Sequence, residues 1–159
     1  MSNFDFISTT DKPALLAFST PEWLDTARTA LAELGYKVHT AATHGDFLIR
    51  FSQVRYQIVI IEECFAANSM AENLTLLALQ EMPMSQRRHA TVLLFGQSFQ
   101  TFTPMQAFQY SVHAVINSSA LFLFKQLIEK AVADNALFEH SFREAQARVY
   151  AAPFSEERK

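Results

Sequence analysis

The sequence predicts a three-layer α/β fold, built on a doubly wound, five-stranded parallel sheet and followed by a long C-terminal helix. The apolar run from Ile58 to Ile61 is too short for a helix and too uniform for a half-exposed strand, which favours a central parallel strand covered on both faces. Short apolar segments of this kind alternate with helical segments along the chain. A further apolar stripe, at helical spacing, runs from Leu121 to Val149.

Each predicted strand is a short apolar segment that ends near a turn or capping residue. The five strands are expected over residues 14–18, 37–42, 56–65, 91–95 and 113–117. In the second strand we expect Val38 and Ala42 to be the core positions. Glu62 and Glu63 follow the apolar run of the third strand, at the edge of the sheet where open α/β folds bind their ligands.

Capping signals set the predicted helix boundaries. Thr20 with Pro21 begins the first helix, and Gly35 ends it. Thr103 with Pro104 repeats the same signal later in the chain. The five helices are expected near residues 21–34, 45–51, 71–79, 104–110 and 121–150.

Composition restricts the class of protein. The chain has 159 residues, of which 50% are hydrophobic, enough for one domain with a full core. Its net charge of -3 gives no electrostatic case for nucleic acid or anionic lipid as a partner. The single cysteine, Cys64, excludes an internal disulfide framework. No basic, apolar leader and no run of about 18 apolar residues is present, so we expect a soluble, cytoplasmic protein without a membrane partner.

Three segments have the order and spacing of a known family. They are LAELGYKVHTAATHGDFL (31–48), YQIVIIEE (56–63) and MQAFQYSVHAVINSSALFLFKQLIEKAV (105–132). These segments resemble the receiver domain of bacterial response regulators, the CheY-like form of the flavodoxin-like fold. The resemblance implies a receiver-like domain over residues 10–133 and a C-terminal helical extension over residues 134–159.

The resemblance also implies a phosphorylation site, from which this chain departs at every position. The family carries a phosphoacceptor aspartate, an acidic pair that holds Mg²⁺, a hydroxyl and a lysine. The corresponding positions fall on Glu62, on Phe18 and Ser19, on Phe95, and on or near Ser118. Mg²⁺ needs several oxygen ligands, and a transferred phosphoryl group needs positive charge around it. We therefore expect a pseudo-receiver that is not phosphorylated, has no enzymatic activity, cofactor or metal, and has Glu62 as a solvated residue at the strand end.

Aromatic residues around the fourth predicted helix form a first candidate interaction surface. Phe99, Phe102, Phe108 and Tyr110 are four aromatic residues within twelve positions. In receivers this region commonly belongs to the signalling or dimer face. Core packing and an interaction surface are both consistent with the pattern, and we assign Phe108 and Tyr110 to a candidate interface.

The final helix is the stronger candidate. Its stripe consists of Leu121, Phe124, Ile128, Ala131, Asn135, Phe138, Phe142, Ala145 and Val149. The spacing is that of a coiled coil in which Asn135 sets the register, and it predicts a homodimer with Asn135, Phe138, Phe142 and Val149 in the interface. In a parallel pair, however, Asp134 and Glu139 would oppose each other as like charges. A long helix folded against its own domain is the alternative.

The predicted function is a protein-interaction and dimerisation module in bacterial signal transduction or transcriptional regulation, with an unidentified signalling protein as partner. One alternative is a ligand-sensing pseudo-receiver with a small molecule at the strand ends. Another is a small α/β enzyme that uses Glu62 with Ser19 and Ser118 or Ser119. The remaining polar cluster, Arg87 to His89, is expected to be a solvated basic loop.

Overall fold

The computed structural model describes residues 6–157, with side chains as far as residue 151. All strand pairs are parallel, and the sheet order is β2-β1-β3-β4-β5. The strands are β1 (Lys12–Ala17), β2 (Tyr36–Ala41), β3 (Ile58–Glu62), β4 (Thr91–Gly96) and β5 (Ala114–Asn117). The order confirms the predicted doubly wound, five-stranded parallel sheet, with β3 at its centre.

The helices also follow the predicted alternation, with two differences: the helix predicted over 71–79 is divided, and a short helix over Met84–Arg87 lies where none was predicted. They are α1 (Pro21–Glu33), α2 (His44–Gln53), α3 (Leu74–Glu81), α4 (Met84–Arg87), α5 (Pro104–Gln109) and α6 (Phe124–Glu157). Short 3-10 turns, Met70–Glu72 and Ser118–Leu123, precede α3 and α6. The predicted helix over 71–79 is therefore divided, because the side chain of Asn73 accepts a hydrogen bond from the amide of Leu76 and starts a new helix.

Side chains alternate across the sheet and form two apolar layers. On one face, Leu15, Val59 and Leu94 pack with residues of α2 and α3. On the other face, Leu16 and Ile60 pack with residues of α1 and α6. All five residues of β3 are buried, as expected for a central strand covered on both faces.

The edge strand β2 differs from the sequence prediction. Its buried residues are His39 and Ala41, whereas Val38 is half-buried and Ala42 is exposed beyond the strand end. The Nδ1 atom of His39 lies 2.7 Å from the hydroxyl of Tyr56, which is buried as well. This hydrogen bond gives the imidazole a polar partner inside the protein, so a histidine occupies a core position that the sequence pattern assigned to valine.

Residues 87–89 are not a solvated basic loop. Arg87 is buried, and its guanidinium donates to the carbonyl of Leu79 at 2.6 Å and to the carbonyl of Ser111. It thereby joins the end of α3 to the turn before β5. His89 stacks on Phe51 with 5.3 Å between ring centroids, which leaves Arg88 as the exposed basic residue of the three.

The long helix α6 covers the α1 face of the sheet with its first turns only. Phe124, Ile128 and Ala131 are buried in that layer, and every residue from His140 to Ala151 is exposed. Among the described residues, no helix is both long and apolar enough to cross a membrane.

Candidate functional site

The carboxyl edge of the sheet, where β1, β3 and β4 end, contains two buried carboxylates. Glu62 is the last residue of β3 and Glu63 follows it, and they are 4% and 8% exposed. Both are therefore inside the protein, and the prediction that Glu62 is a solvated strand-end residue is wrong. Burial of a carboxylate requires hydrogen-bond partners, and the neighbouring loops supply them.

Glu62 binds the start of α1. Its Oε2 accepts from the amide of Ser19 at 3.3 Å, and its Oε1 accepts from the amide of Thr20 at 3.1 Å. The hydroxyl of Thr20, at the N-cap position, makes no capping hydrogen bond. Glu62 thus provides the negative charge that favours a helix N-terminus, and it acts as a tertiary cap on α1.

Ser19 and Asn73 extend this network to the loop after β3. The hydroxyl of Ser19 accepts from the amide of Ala66 at 2.7 Å, and Ala66 has a positive φ of 48°. Asn73 is fully buried and donates from Nδ2 to the carbonyls of Glu62 and Glu63, each at 3.1 Å. Asn73 was missed in the sequence analysis, although an asparagine directly before an apolar helical run is a capping signal.

Glu63 binds the loop that follows β4. Its Oε1 accepts from the amide of Ser98, in the loop after β4, at 3.0 Å. A Cβ atom on Gly96 would lie 2.3 Å from this same oxygen. A glycine is therefore needed at the end of β4 for the Glu63 carboxylate to occupy this space.

Two of the positions implied for metal and phosphoryl binding, Phe18 and Phe95, are apolar. Phe18 and Phe95 lie with ring centroids 5.6 Å apart, and Phe95 also packs against Trp23 at 5.1 Å and Phe124 at 5.2 Å. Phenyl rings offer no ligand to a hard cation. Across the part of the chain that the structure describes, no three His, Cys, Asp or Glu side chains come together as a metal site.

The end of β5 is closed by a different residue from the one expected. Ser118 begins the 3-10 turn before α6, and the hydrogen bonds of Glu62 go to Ser19 and Thr20. Asn117 caps that turn, and its Nδ2 donates to the carbonyl of Phe99 at 2.6 Å. The amide of Ser19 therefore contacts Glu62, and Ser118 makes no hydrogen bond to Ser19 or to Glu62.

Cys64 lies beside the two carboxylates without being activated. Partial burial, followed by the charges of Glu63 and Glu62, raises the pKa of its thiol. A raised pKa keeps the side chain as the weakly nucleophilic thiol at neutral pH. Backbone amides donate to both carboxylates, and the edge thereby holds its loops together.

The aromatic residues around α5 do not form one exposed surface. Phe99 is buried and packs against the half-buried Tyr110 with ring centroids 5.9 Å apart. Phe102 is half-buried, with Lys130 over its ring at 5.2 Å. Phe108 is 81% exposed and is the one of the four that presents most of its ring to solvent.

The stripe on α6 is covered by its own domain as far as Asn135 and is exposed beyond it. The Nδ2 atom of Asn135 donates to the hydroxyl of Thr91 at 2.9 Å, so this side chain contacts its own domain and does not set a coiled-coil register. Beyond it, Phe138, Phe142 and Val149 are 68%, 54% and 65% exposed. Phe138 and Phe142 stack on each other with ring centroids 6.4 Å apart. The distal stripe, defined as Phe138, Phe142, Ala145 and Val149, is thus an uncovered apolar surface.

Comparison with known proteins finds the same fold in solved structures. No protein family and no curated protein matches the sequence. A CheY-like receiver domain protein from Methanospirillum hungatei JF-1 is 15% identical, with a TM-score of 0.62 over 80% of this chain and 98% of that chain. CheY4 of Vibrio cholerae is 16% identical, with a TM-score of 0.57 over 77% of this chain and 99% of that one.

A longer protein also matches. NtrX from Brucella abortus, in complex with ATP, is 15% identical with a TM-score of 0.61 over 84% of this chain. The chain spans 29% of the length of NtrX. These likenesses show that the chain has the receiver-domain fold.

Proposed function

We propose that the chain is a non-phosphorylated pseudo-receiver that serves as a protein-interaction and homodimerisation module in bacterial signal transduction or transcriptional regulation. The observation that carries this proposal is the position of Glu62. Its carboxylate, at the place where receivers have their phosphoacceptor, is buried against the amides of Ser19 and Thr20.

Phosphorylation of Glu62 would have to displace both hydrogen bonds and bury extra negative charge. The surroundings do not compensate for that charge. Phe18 stands where a receiver has an acid that holds Mg²⁺, and Phe95 stands where a receiver has a hydroxyl. Without a metal or a cation to stabilise the transferred group, the reaction loses its main electrostatic support. The filled edge also argues against a small molecule in that place, because Glu62 and Glu63 take up the amide donors that an anionic ligand would use.

The interaction role rests on the distal stripe. Burying one large apolar side chain stabilises an assembly by about 1.5–3 kcal/mol, so three exposed side chains on one helix face favour association. A second copy with twofold symmetry supplies a matching stripe. We therefore divide the chain into a receiver-like domain, residues 10–133, and an interaction segment, residues 134–159, and leave Phe108 as a site for a further signalling partner.

The central claim is tested with a phosphodonor. The chain is incubated with acetyl phosphate and Mg²⁺, and its intact mass is measured. We expect no added phosphoryl group. The matched control is Glu62→Gln, which keeps the shape of the side chain and removes the nucleophilic carboxylate. A stoichiometric mass increase in the unmodified chain that is lost in Glu62→Gln would overturn the proposal.

A further inference from the structure

We propose that a cavity at the amino edge of the sheet, where β3 and β4 begin, binds a small organic carboxylate with an apolar body, held by His89 and Arg55. This edge is opposite to the one that contains Glu62 and Glu63. The site is separate from the proposed interaction surface on α6 and does not depend on it.

Two connections meet at the amino edge, because β3 and β4 are neighbouring parallel strands. The first runs from the end of α2 at Gln53 to Ile58, and the second runs from the end of α4 at Arg87 to Thr91. Residues of both connections line a cavity of about 390 Å³, within the range of roughly 300–1,000 Å³ that is usual for small-molecule sites. The short helix α4, which the sequence did not predict, forms part of its wall.

The wall of the cavity combines an apolar surface with one permanent charge. The apolar part consists of Leu48, Phe51, Val54 and Met82. Among the described residues that line the cavity, none is acidic, and Arg55 carries the permanent positive charge. Arg55 is exposed, and none of the ion pairs between described side chains includes it. The cavity therefore favours an anion that also has an apolar surface.

His89 is a polar residue of this wall without polar partners. Both of its ring nitrogens are buried, and neither has a hydrogen-bond partner within the described part of the chain. The ring stacks on Phe51 with 5.3 Å between centroids. Burial, followed by the charge of Arg55, lowers the pKa of His89, so its imidazole is neutral at neutral pH. A buried polar group without a partner is unfavourable, and a ligand that supplies the partner relieves this cost.

A carboxylate is the group that pairs with both residues. One of its oxygens accepts a hydrogen bond from an imidazole N–H of His89, and the other accepts from the guanidinium of Arg55, whose planar donors fit a carboxylate. The apolar body of the ligand then lies against Leu48, Val54 and Met82, which removes apolar surface from water.

Because the ring nitrogens of His89 are covered in the structure, binding requires a local rearrangement. The wall residues Gln53 and Gln86 are exposed, and exposed side chains change rotamer within picoseconds to nanoseconds. Helix α4 is held in place by Arg87, which is buried and donates to the carbonyls of Leu79 and Ser111. We therefore expect side chains of the wall to move on binding while α4 and the strands remain in place.

An NMR titration of the full chain with benzoate tests the site. The imidazole nitrogen resonances of His89 should move in a saturable way, and those of His140, which is exposed on α6, should not. Benzamide has the same shape without the charge, and it should bind at least about tenfold more weakly than benzoate. Inorganic phosphate is an anion without an apolar body, and it should also bind at least about tenfold more weakly.

Two variants with a matched control locate the ligand. Arg55→Gln should weaken benzoate binding about tenfold. Arg88→Gln removes the same charge from an exposed residue outside the cavity, and it should change binding by less than about twofold. His89→Phe keeps a ring against Phe51 and removes both nitrogens, and it should abolish binding. Circular dichroism checks that each variant is folded.

Several results would overturn the proposal. One is the absence of saturable movement of the His89 resonances up to about 10 mM benzoate. Another is binding of benzamide or phosphate as tight as that of benzoate. Equal weakening by Arg55→Gln and Arg88→Gln, or unchanged binding in His89→Phe, would also contradict it. If His89→Phe does not fold, the two arginine variants, both at exposed positions, decide the question.

Discussion

The carboxyl edge of the sheet and the distal stripe of α6 differ in whether their side chains have partners within the chain. At the edge, Glu62 and Glu63 are buried and hydrogen-bonded to the amides of adjacent loops. On the distal stripe, Phe138, Phe142 and Val149 are large, apolar and exposed. In related folds the edge of the sheet is where ligands bind. In this chain it is closed by the protein's own side chains, and the surface that lacks a partner lies on the terminal helix.

The largest expected effect comes from placing charge on the distal stripe. Phe138→Glu with Phe142→Glu should convert the proposed dimer into a folded monomer, because the four rings that the proposed interface buries are replaced by carboxylates. With about 1.5–3 kcal/mol for each buried ring, the dissociation constant should rise by at least about a hundredfold. Sedimentation measures the assembly, and circular dichroism checks that the monomer is folded.

The matched control adds the same charges to a neighbouring face of the same helix. Leu137 is 68% exposed, as is Phe138, but lies outside the stripe. Leu137→Glu with His140→Glu should leave the dimer intact. If both double variants lose the dimer to the same extent, negative charge on the helix is the cause and the stripe is not the interface.

A smaller effect is expected when the cap on α1 is removed. Glu62→Ala leaves the amides of Ser19 and Thr20 without their acceptor, in a part-buried position. Hydrogen bonds to charged groups contribute about 1.5–3 kcal/mol, so the free energy of unfolding should fall by about that amount. Chemical denaturation measures it, and Glu22→Ala, an exposed acid in the first turn of α1, is the control with a change of about 0.5 kcal/mol or less. Equal losses in the two variants would show that Glu62 has no special role.

The smallest effect concerns the glycine beneath Glu63. Gly96→Ala places a methyl group where the Glu63 carboxylate lies, and displacing that side chain should reduce the free energy of unfolding by about 1–2 kcal/mol. Gly45→Ala is the control, since the nearest atom to its added Cβ is 4.0 Å away. Adding Glu63→Ala to Gly96→Ala should make the two losses less than additive. Full additivity would mean that the two side chains do not compete for space.

The sequence predicted the fold well because its signals are local. The apolar run of β3, the proline at the start of α1 and Gly35, which follows α1 with a φ of 87°, each act within a few residues. The sheet order then follows from the rules for connecting parallel strands.

The sequence predicted the site poorly because its contacts are between distant residues. Glu62 binds amides 42 and 43 residues earlier in the chain, and Asn135 binds a hydroxyl 44 residues earlier. Neither partner can be found from spacing along the chain. Glu62 was therefore expected to be solvated, and Asn135 was expected to face another helix. Phe138 and Phe142 were expected in an interface between two helices, and in the single chain they are exposed.

The cap formed by Glu62 has a consequence for motion. Loops at the edge of a sheet usually open more easily than the strands they follow, and their amides exchange hydrogen quickly. Here the amides of Ser19, Thr20, Ala66 and Ser98 are in such loops, and each donates to a side-chain oxygen of Ser19, Glu62 or Glu63. Freeing the amides of Ser19, Thr20 or Ser98 requires a buried carboxylate to move. We therefore expect these three amides to exchange hydrogen more slowly than is usual for loops at the edge of a sheet.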